Sequence, residues 1–305
     1  NPQLAWDQIM IFFDLQADSG VLPDFANDRY AYFAFTKPPV EGWLLDKMLD
    51  INPDFFTENK LEEVFPLLEK WTNYWFEYTD YSGGGLPSYN HGNDAGWDNS
   101  TIFHLGAPLQ SPDLLSFLIL QMKTLSKIAK MLGYEEKKKY WQKRADKNLQ
   151  KLIDTFWTGS RFLPLKKGHS QDDFIGDSLI MFVPLILGEM LPAEIRVKLV
   201  KGLKEDNRFL TDYGLATESI SSDYYKDDGY WRGPIWAPST MLIVDGLFRS
   251  GAPVHGLDID DRFVLMVDES GMAENFDALS GQGLRDQAFT WTSSVFLYLG
   301  HILKE

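Results

Sequence analysis

The sequence contains no cysteine, so it can form neither a disulfide framework nor a thiolate metal site. No run approaches the roughly 18 consecutive apolar residues of a transmembrane helix, and we therefore expect no membrane association. No signal peptide is visible at the start of the chain, which begins Asn1-Pro2-Gln3. These absences leave the compartment open, because both a reducing cytoplasm and export are compatible with them.

Basic residues are scarce relative to acidic ones. The chain has 29 Lys and Arg against 44 Asp and Glu, for a net charge of −15. Binding to nucleic acid requires basic patches, so we expect no nucleic-acid partner. The one basic cluster, residues 137–144, has the helical spacing of a solvated helix face.

Motifs for metal and nucleotide chemistry are also missing. The five histidines are scattered and form no HExxH pair, so we predict no metal site and no cofactor. The acidic run Asp258-Ile259-Asp260-Asp261 leaves a structural calcium ion open, although it lacks the spacing of an EF-hand loop. The sequence has no P-loop, no GxGxxG after a strand and no GxSxG, which argues against nucleotide binding and a serine nucleophile.

Amphipathic helical periodicity is present along most of the chain. It predicts helices at residues 3–16, 36–50, 58–78, 111–131, 134–156, 176–189, 192–204, 238–249, 256–267 and 287–303. Only residues 157–167 alternate like a short hairpin. The helices follow one another in pairs, which predicts an all-α array of helical hairpins, either closed as a toroid or open as a solenoid.

Three long polar loops interrupt the helices, at residues 81–101, 217–238 and 272–286. They fall on alternate connections, and alternate connections of a hairpin toroid lie on the same face. Polar loops on a rigid helical scaffold commonly carry binding and catalytic residues. We therefore predict one site built from these three loops.

Two acidic residues in these loops are candidates for catalysis, Asp98 in the first loop and Glu274 in the third. The alternative for each is a turn or helix-capping carboxylate. The second loop adds tryptophan, tyrosine and arginine in Tyr230-Trp231-Arg232-Gly233-Pro234-Ile235-Trp236, although such a loop could instead fill the core. Two carboxylates surrounded by aromatic and amide groups are what glycosidic bond hydrolysis requires.

The chain resembles glycoside hydrolase family 63, the processing-glucosidase-like group, and more distantly the trehalases. Five segments carry the resemblance: Thr36-Lys37-Pro38-Pro39 with Gly42-Trp43, Ala95-Gly96-Trp97-Asp98-Asn99, Gly229-Tyr230-Trp231-Arg232-Gly233-Pro234-Ile235-Trp236, Glu274-Asn275-Phe276 with Ser280-Gly281, and Phe289-Thr290-Trp291-Thr292-Ser293. Their order along the chain also matches. The block around Trp231 is the most specific of them.

The resemblance implies an (α/α)6 toroid and an inverting hydrolysis of an α-linked, glucosyl-type oligosaccharide or glycoside. Asp98 would be the general acid, Glu274 the general base, and Asp94 a structural neighbour. The candidate substrate-binding residues are Lys37, Trp43, Tyr89, His91, Trp97, Tyr230, Trp231, Arg232, Trp236 and Trp291. The expected partner is a carbohydrate substrate.

The chain departs from the family pattern at its beginning, where the first helical hairpin has no counterpart. We expect residues 1–305 to form a single catalytic domain that is incomplete on its N-terminal side. A preceding segment or a separate chain would complete the toroid.

Alternative functions follow from the same residues. One is a trehalase-type or glucosylglycerate-type hydrolase of the same fold. Another is a helical toroid that binds sugar without cleaving it. A third is an epimerase or lyase of the same fold, which the scattered histidines disfavour.

Overall fold

The computed structural model describes residues 1–302, and helices account for most of them. The α-helices are Pro2–Asp14 (α1), Glu41–Ile51 (α2), Glu58–Tyr78 (α3), Gly92–Ala95 (α4), Pro112–Met131 (α5), Glu135–Phe156 (α6), Ala193–Leu203 (α7), Ala237–Arg249 (α8), Pro253–Ser270 (α9) and Thr290–Ile302 (α10). Tighter 3-10 helices occupy Pro53–Phe55, Thr101–Phe103, Gln171–Asp173 and Leu179–Met190.

The strands are pairs of two residues that form antiparallel ribbons. They are Phe25–Ala26 (β1) with Ala31–Tyr32 (β2), Leu210–Thr211 (β3) with Gly214–Leu215 (β4), and Asn275–Phe276 (β5) with Gly283–Leu284 (β6). The register of the last ribbon places Asn275 opposite Leu284. The predicted hairpin near residue 160 is reduced to a single bridge between Trp157 and Phe162.

Contacts divide the chain into two compact units. The first comprises residues 1–96, 107–155 and 165–167, and the second comprises residues 97–106, residues 156–164 and the chain from residue 168 onward. The prediction of a single domain over residues 1–305 stays a prediction.

The first unit is organised around α5, which is buried along nearly its whole length. Helices α2 and α3 both pack on it. The Gly42 N–H donates to Gln121 Oε1 at 3.1 Å, and Gln121 Nε2 donates to Thr72 Oγ1 at 2.8 Å. A Cβ at Gly42 would meet the Gln121 backbone, so glycine permits the close approach of α2 to α5.

The core of the second unit is the Leu179–Met190 segment, which packs against α7 and α8. The predicted α-helix over residues 176–189 is wrong in detail, because this segment is 3-10 helical and is interrupted. Pro184 within it has no N–H for the helical ladder, and Gly188 has a left-handed φ of +54°. Gly188 lies against the backbone of Arg249, where a Cβ would not fit.

Several predicted helix boundaries also shift. Helix α2 begins at Glu41 rather than at residue 36, because Pro38 and Pro39 lie in the preceding irregular segment. The first polar loop contains a one-turn helix, α4, that was not predicted. The last predicted helix extends to residue 303, which lies outside the described residues. No helix within residues 1–302 combines the length and apolar character needed to cross a membrane.

Candidate active site

The two predicted catalytic carboxylates, Asp98 and Glu274, both act electrostatically on one phenol of the second unit, that of Tyr230. The Glu274 side chain lies within hydrogen-bonding reach of the Tyr230 hydroxyl, and the charges of both Asp98 and Glu274 act on that hydroxyl. Burial first, and then these two negative charges, raise the pKa of Tyr230 to about 12, while Arg285 partly opposes the shift. The phenol is therefore protonated at neutral pH, and both predicted carboxylates are close enough to influence its ionisation.

Asp98 is fixed through its neighbour in sequence, Asn99. The Asn99 Nδ2 donates to Gly229 O at 3.0 Å, and Trp231 N donates to Asn99 Oδ1 at 3.0 Å. One amide side chain therefore holds the backbone on both sides of Tyr230. Asp98 itself is half-buried. The Asp98 segment is tied in this way to the second polar loop.

Glu274 is placed by backbone pairing immediately before β5. Its N–H donates to Asp286 O at 2.7 Å, and the residue is half-buried. Two residues after Glu274, Phe276 exchanges backbone hydrogen bonds of 2.7 and 3.0 Å with Ile235 in the second polar loop. This bridge joins the third polar loop to the second one, so Glu274 and Tyr230 lie on directly connected segments.

Three indoles lie side by side in the second unit. Trp97 and Trp231 have ring centroids 4.8 Å apart, and Trp231 stacks on Trp236 at 4.0 Å with an angle of 8° between the rings. All three are buried, so much of each ring is already covered by protein. Trp291 is 36% exposed and meets Trp236 edge-on at 5.4 Å. Trp291 is therefore the predicted tryptophan with the most surface free for a ligand.

Arg232 lies in the second polar loop and Arg285 in the third. Arg232 Nη2 donates to Tyr224 O at 3.3 Å, while its buried Nε has no hydrogen-bond partner within the described part of the chain. Arg285 pairs with Asp228 at 2.5 Å, and its guanidinium lies 5.0 Å from the centre of the Tyr230 ring. The predicted set of site residues omitted Asn99 and Arg285, whose partners lie in distant parts of the sequence.

Lys37 and His91 belong to the first unit. Lys37 pairs with Asp24 at 3.1 Å and donates to Asn93 O at 3.1 Å. His91 is exposed and caps α4, where its Nδ1 accepts from Asn93 N, and its ring lies 4.8 Å from that of Phe35. Both side chains already have protein contacts, and their roles toward substrate stay predictions.

Asp94 has the structural placement expected for it. The side chain is 2% exposed and accepts hydrogen bonds from the backbone N–H groups of Thr36, Asn90 and His91. Burial raises the pKa of Asp94, and these hydrogen bonds oppose the shift. The carboxylate therefore joins the end of the first polar loop to the segment that precedes α2.

Trp43 and Tyr89 are core side chains of the first unit. Trp43 is 5% exposed, and Tyr89 is completely buried with its hydroxyl donating to Asp113 Oδ2 at 2.8 Å. Burial raises the pKa of Asp113 to about 6, although hydrogen bonds from Ser111 and Tyr89 oppose it. The Tyr89 hydroxyl thus satisfies a buried carboxyl group, and a role in binding substrate stays a prediction for both aromatic residues.

The described residues contain no arrangement suited to a metal ion. Across residues 1–302 no three His, Asp or Glu side chains are grouped so that they could hold one. The expectation of no cofactor stays a prediction.

Comparison with known proteins identifies sequence relatives. A family model described as mannosylglycerate hydrolase MGH1-like glycoside hydrolase domain matches residues 1–292. A probable mannosyl-oligosaccharide glucosidase of Schizosaccharomyces pombe is 24% identical over 275 residues, covering 77% of this chain and 34% of its own length. A mannosylglycerate hydrolase of Rubrobacter radiotolerans is 25% identical over 186 residues, covering 60% of this chain and 41% of its own. The chain thus spans well under half the length of these curated relatives.

Solved structures show the fold. The GH63 mannosylglycerate hydrolase of Thermus thermophilus in complex with glucose superposes with a TM-score of 0.79 at 18% identity, covering 96% of this chain and 87% of that one. Neutral trehalase Nth1 of Saccharomyces cerevisiae superposes with a TM-score of 0.66 at 17% identity, covering 90% of this chain and 63% of that one. These matches confirm the predicted fold class, an all-α fold of the type shared by GH63 enzymes and trehalase.

Proposed function

Because the chain belongs to the family of mannosylglycerate hydrolase MGH1-like glycoside hydrolase domains, we propose that it hydrolyses an α-glycosidic bond with inversion. In this proposal Asp98 is the general acid and Glu274 the general base. The observation that carries the assignment is that the segments of both carboxylates converge on Tyr230. Asn99, next to Asp98, bonds to the backbone on both sides of Tyr230. Asn275, next to Glu274, accepts from Arg285, whose guanidinium lies over the Tyr230 ring. The two residues are 176 positions apart in sequence (274 − 98), so the fold has to bring them together.

The chemistry follows from the two groups. Asp98 gives its proton to the glycosidic oxygen as the bond from that oxygen to the anomeric carbon breaks. Glu274 takes a proton from a water molecule, and the water oxygen bonds to the anomeric carbon on the opposite face of the ring. Inverting pairs stand about 6.5–9.5 Å apart to admit that water. The sugar released has the configuration opposite to that of the substrate.

The substrate class is a small α-linked glycoside with an anionic aglycone. Relatives and structural neighbours include proteins named mannosylglycerate hydrolase, and glycerate carries a carboxylate. Arg285, which pairs with Asp228, and Arg232, whose buried Nε has no hydrogen-bond partner within residues 1–302, are positively charged donors in the unit that holds both catalytic candidates. The runner-up is a neutral glucosyl oligosaccharide, as the name of the fission-yeast relative suggests for that protein.

Substrate and stereochemistry can be tested in one experiment. The protein is incubated with α-mannosylglycerate, α-glucosylglycerate and a panel of α-glucosyl disaccharides, and proton NMR identifies the first anomer released. We expect the β anomer from an α-linked substrate and faster turnover of the glycerate compounds. Initial release of the α anomer would exclude the inverting scheme.

Variants test the two assignments separately. We expect Asp98→Asn and Glu274→Gln each to lower turnover by at least about a thousandfold while the circular dichroism spectrum is unchanged. The matched control is Glu269→Gln, which neutralises an exposed glutamate a few residues away and should keep full activity. Near-native turnover in either first variant would remove the role given to that residue. Sugar binding by calorimetry without product release would support the non-catalytic alternative.

A further inference from the structure

Left-handed backbone conformations mark the surroundings of Glu274. Within residues 1–302 three non-glycine residues have a positive φ: Asn207 at 55°, Tyr230 at 66° and Arg285 at 62°. Asparagine tolerates this region, but tyrosine and arginine are strained there. The two strained residues contact each other, with the Arg285 guanidinium over the Tyr230 ring. Strained residues persist only where their surroundings hold them, and they concentrate at functional sites.

The surroundings that hold Tyr230 can be identified contact by contact. Asn99 accepts from the N–H that follows Tyr230 and donates to the carbonyl that precedes it. Trp236 Nε1 donates to the Tyr230 carbonyl at 2.9 Å, and its indole meets the phenol edge-on at 4.8 Å. Arg285 is held in turn by Asp228 and by Asn275 Oδ1 at 3.1 Å. These contacts thus fix Tyr230 at both its backbone and its ring.

We infer that Tyr230 is a positioning residue for Glu274, and that Asn99 and Arg285 hold it in the strained conformation this requires. The inference rests on the proposed role of Glu274 as the general base. A hydroxyl that donates to one carboxylate oxygen fixes the plane of the carboxylate and leaves the second oxygen free to accept a proton from water. Tyr230 suits this task because its raised pKa keeps the donor protonated at every pH at which a glycosidase works.

Other charges act on the same phenol and bear on the expected result. The negative charge of Asp98 raises the pKa of the hydroxyl, and the positive charge of Arg285 lies over the ring and lowers it. Neither charge is removed when the hydroxyl alone is deleted. Tyr230→Phe therefore isolates the hydrogen bond to Glu274 from the electrostatic background.

The kinetic test compares Tyr230→Phe with a matched control, Tyr134→Phe. Tyr134 also donates its hydroxyl to a glutamate, Glu62, but at an exposed site of the first unit. For Tyr230→Phe we expect kcat to fall about tenfold or more with KM within twofold, because a hydrogen bond to a charged group is lost. The acidic limb of the kcat/KM profile should move up by about one pH unit, because the ionised base loses its donor. A raised KM with unchanged kcat and pH profile would make Tyr230 a substrate contact and overturn the inference.

A double-mutant cycle tests the role of Asn99. If Asn99 acts through the Tyr230 hydroxyl, Asn99→Ala lowers kcat in the native background but adds little when Tyr230→Phe is already present. Equal, additive losses in both backgrounds would contradict this coupling. Should Asn99→Ala fail to fold, Asn99→Asp replaces it in the cycle, since it keeps the acceptor for the Trp231 N–H and removes the donor to the Gly229 carbonyl.

A spectroscopic measurement separates this inference from the proposed function. Glutamate labelled at the carboxyl carbon is titrated by carbon NMR in the native protein and in Tyr230→Phe, and Glu274→Gln identifies the resonance. We expect the pH midpoint of the Glu274 signal to be higher in Tyr230→Phe. An unchanged midpoint overturns the positioning role even if the enzyme is active. A shifted midpoint in a protein that cleaves none of the substrates supports the hydrogen bond and refutes the proposed function alone.

Discussion

Asp260 is the basis of a prediction about stability. This residue on α9 is completely buried, and neither of its carboxylate oxygens has a hydrogen-bond partner within residues 1–302. Burial, and then the negative charge of Asp261, raise the pKa of Asp260 from 3.8 to about 7. Above that pH the folded protein contains a buried charge without a partner, which is unfavourable.

The size and sign of the effect follow from this shift. Below about pH 4 Asp260 is neutral in both the folded and the unfolded protein, so its ionisation does not affect stability. Between about pH 4 and 7 the unfolded chain ionises first, and stability falls by about 1.4 kcal/mol for each pH unit. The shift of about 3 pH units corresponds to a loss of about 4 kcal/mol at pH 8. Local relaxation and entry of water reduce the cost of a buried charge, so we expect a loss of about 2–4 kcal/mol in the free energy of unfolding at pH 8.

The variant Asp260→Asn removes the negative charge and keeps the shape of the side chain. Its free energy of unfolding should exceed that of the native protein by about 2–4 kcal/mol at pH 8 and match it near pH 4. Urea titration followed by tryptophan fluorescence at both pH values measures this difference. The control Asp261→Asn, at the neighbouring exposed position, should change stability by less than about 1 kcal/mol. Equal stability of Asp260→Asn and the native protein at pH 8 would refute the reasoning.

Three further predictions concern buried groups. Trp231→Ala should lower the free energy of unfolding by about 3–5 kcal/mol, measured by urea titration, because the indole is 3% exposed and stacked; a loss below about 1 kcal/mol would contradict this. Tyr89→Phe should lower the free energy of unfolding by about 1–3 kcal/mol in the same assay, because it removes a donor to buried Asp113, and turnover should be retained. Lost sugar affinity at native stability would instead support a role of Tyr89 in binding substrate. Gly281→Ala should lower Tm, because Gly281 has a φ of +71° and its Cβ would meet the Tyr213 ring; an unchanged Tm would argue against this packing.

The helices were predictable where apolar periodicity is long and uninterrupted. Helix α3 begins and ends at the predicted residues, because Thr57 caps it and apolar residues recur along one face. The segment before α7 was less predictable. Residues 179–190 are largely apolar, so they carry no period that distinguishes an α-helix from the tighter helix observed. Pro184 and Gly188 were the local signals against a regular helix.

The candidate site was predictable from the types of its residues but not from their contacts. Asp98 and Glu274 stood out because they occur in polar, aromatic loops between helices. The support around them depends on partners far away in sequence, such as Asn99 with Gly229 and Trp231, 130 and 132 positions apart. Likewise, the left-handed conformation of Tyr230 has no sequence signal, because the residue type disfavours it. Such contacts become visible only once the fold is known.

The double contact made by Asn99 has a consequence for protein engineering. Asn99, Tyr230 and Glu274 form a chain of contacts through three loops, and the Ile235–Phe276 bridge joins two of these loops a second time. A loop transplanted alone into a homologous scaffold would arrive without the partners that hold its backbone in place. Recombination libraries that exchange the three segments as one block should therefore yield active hybrids far more often than libraries that shuffle them independently.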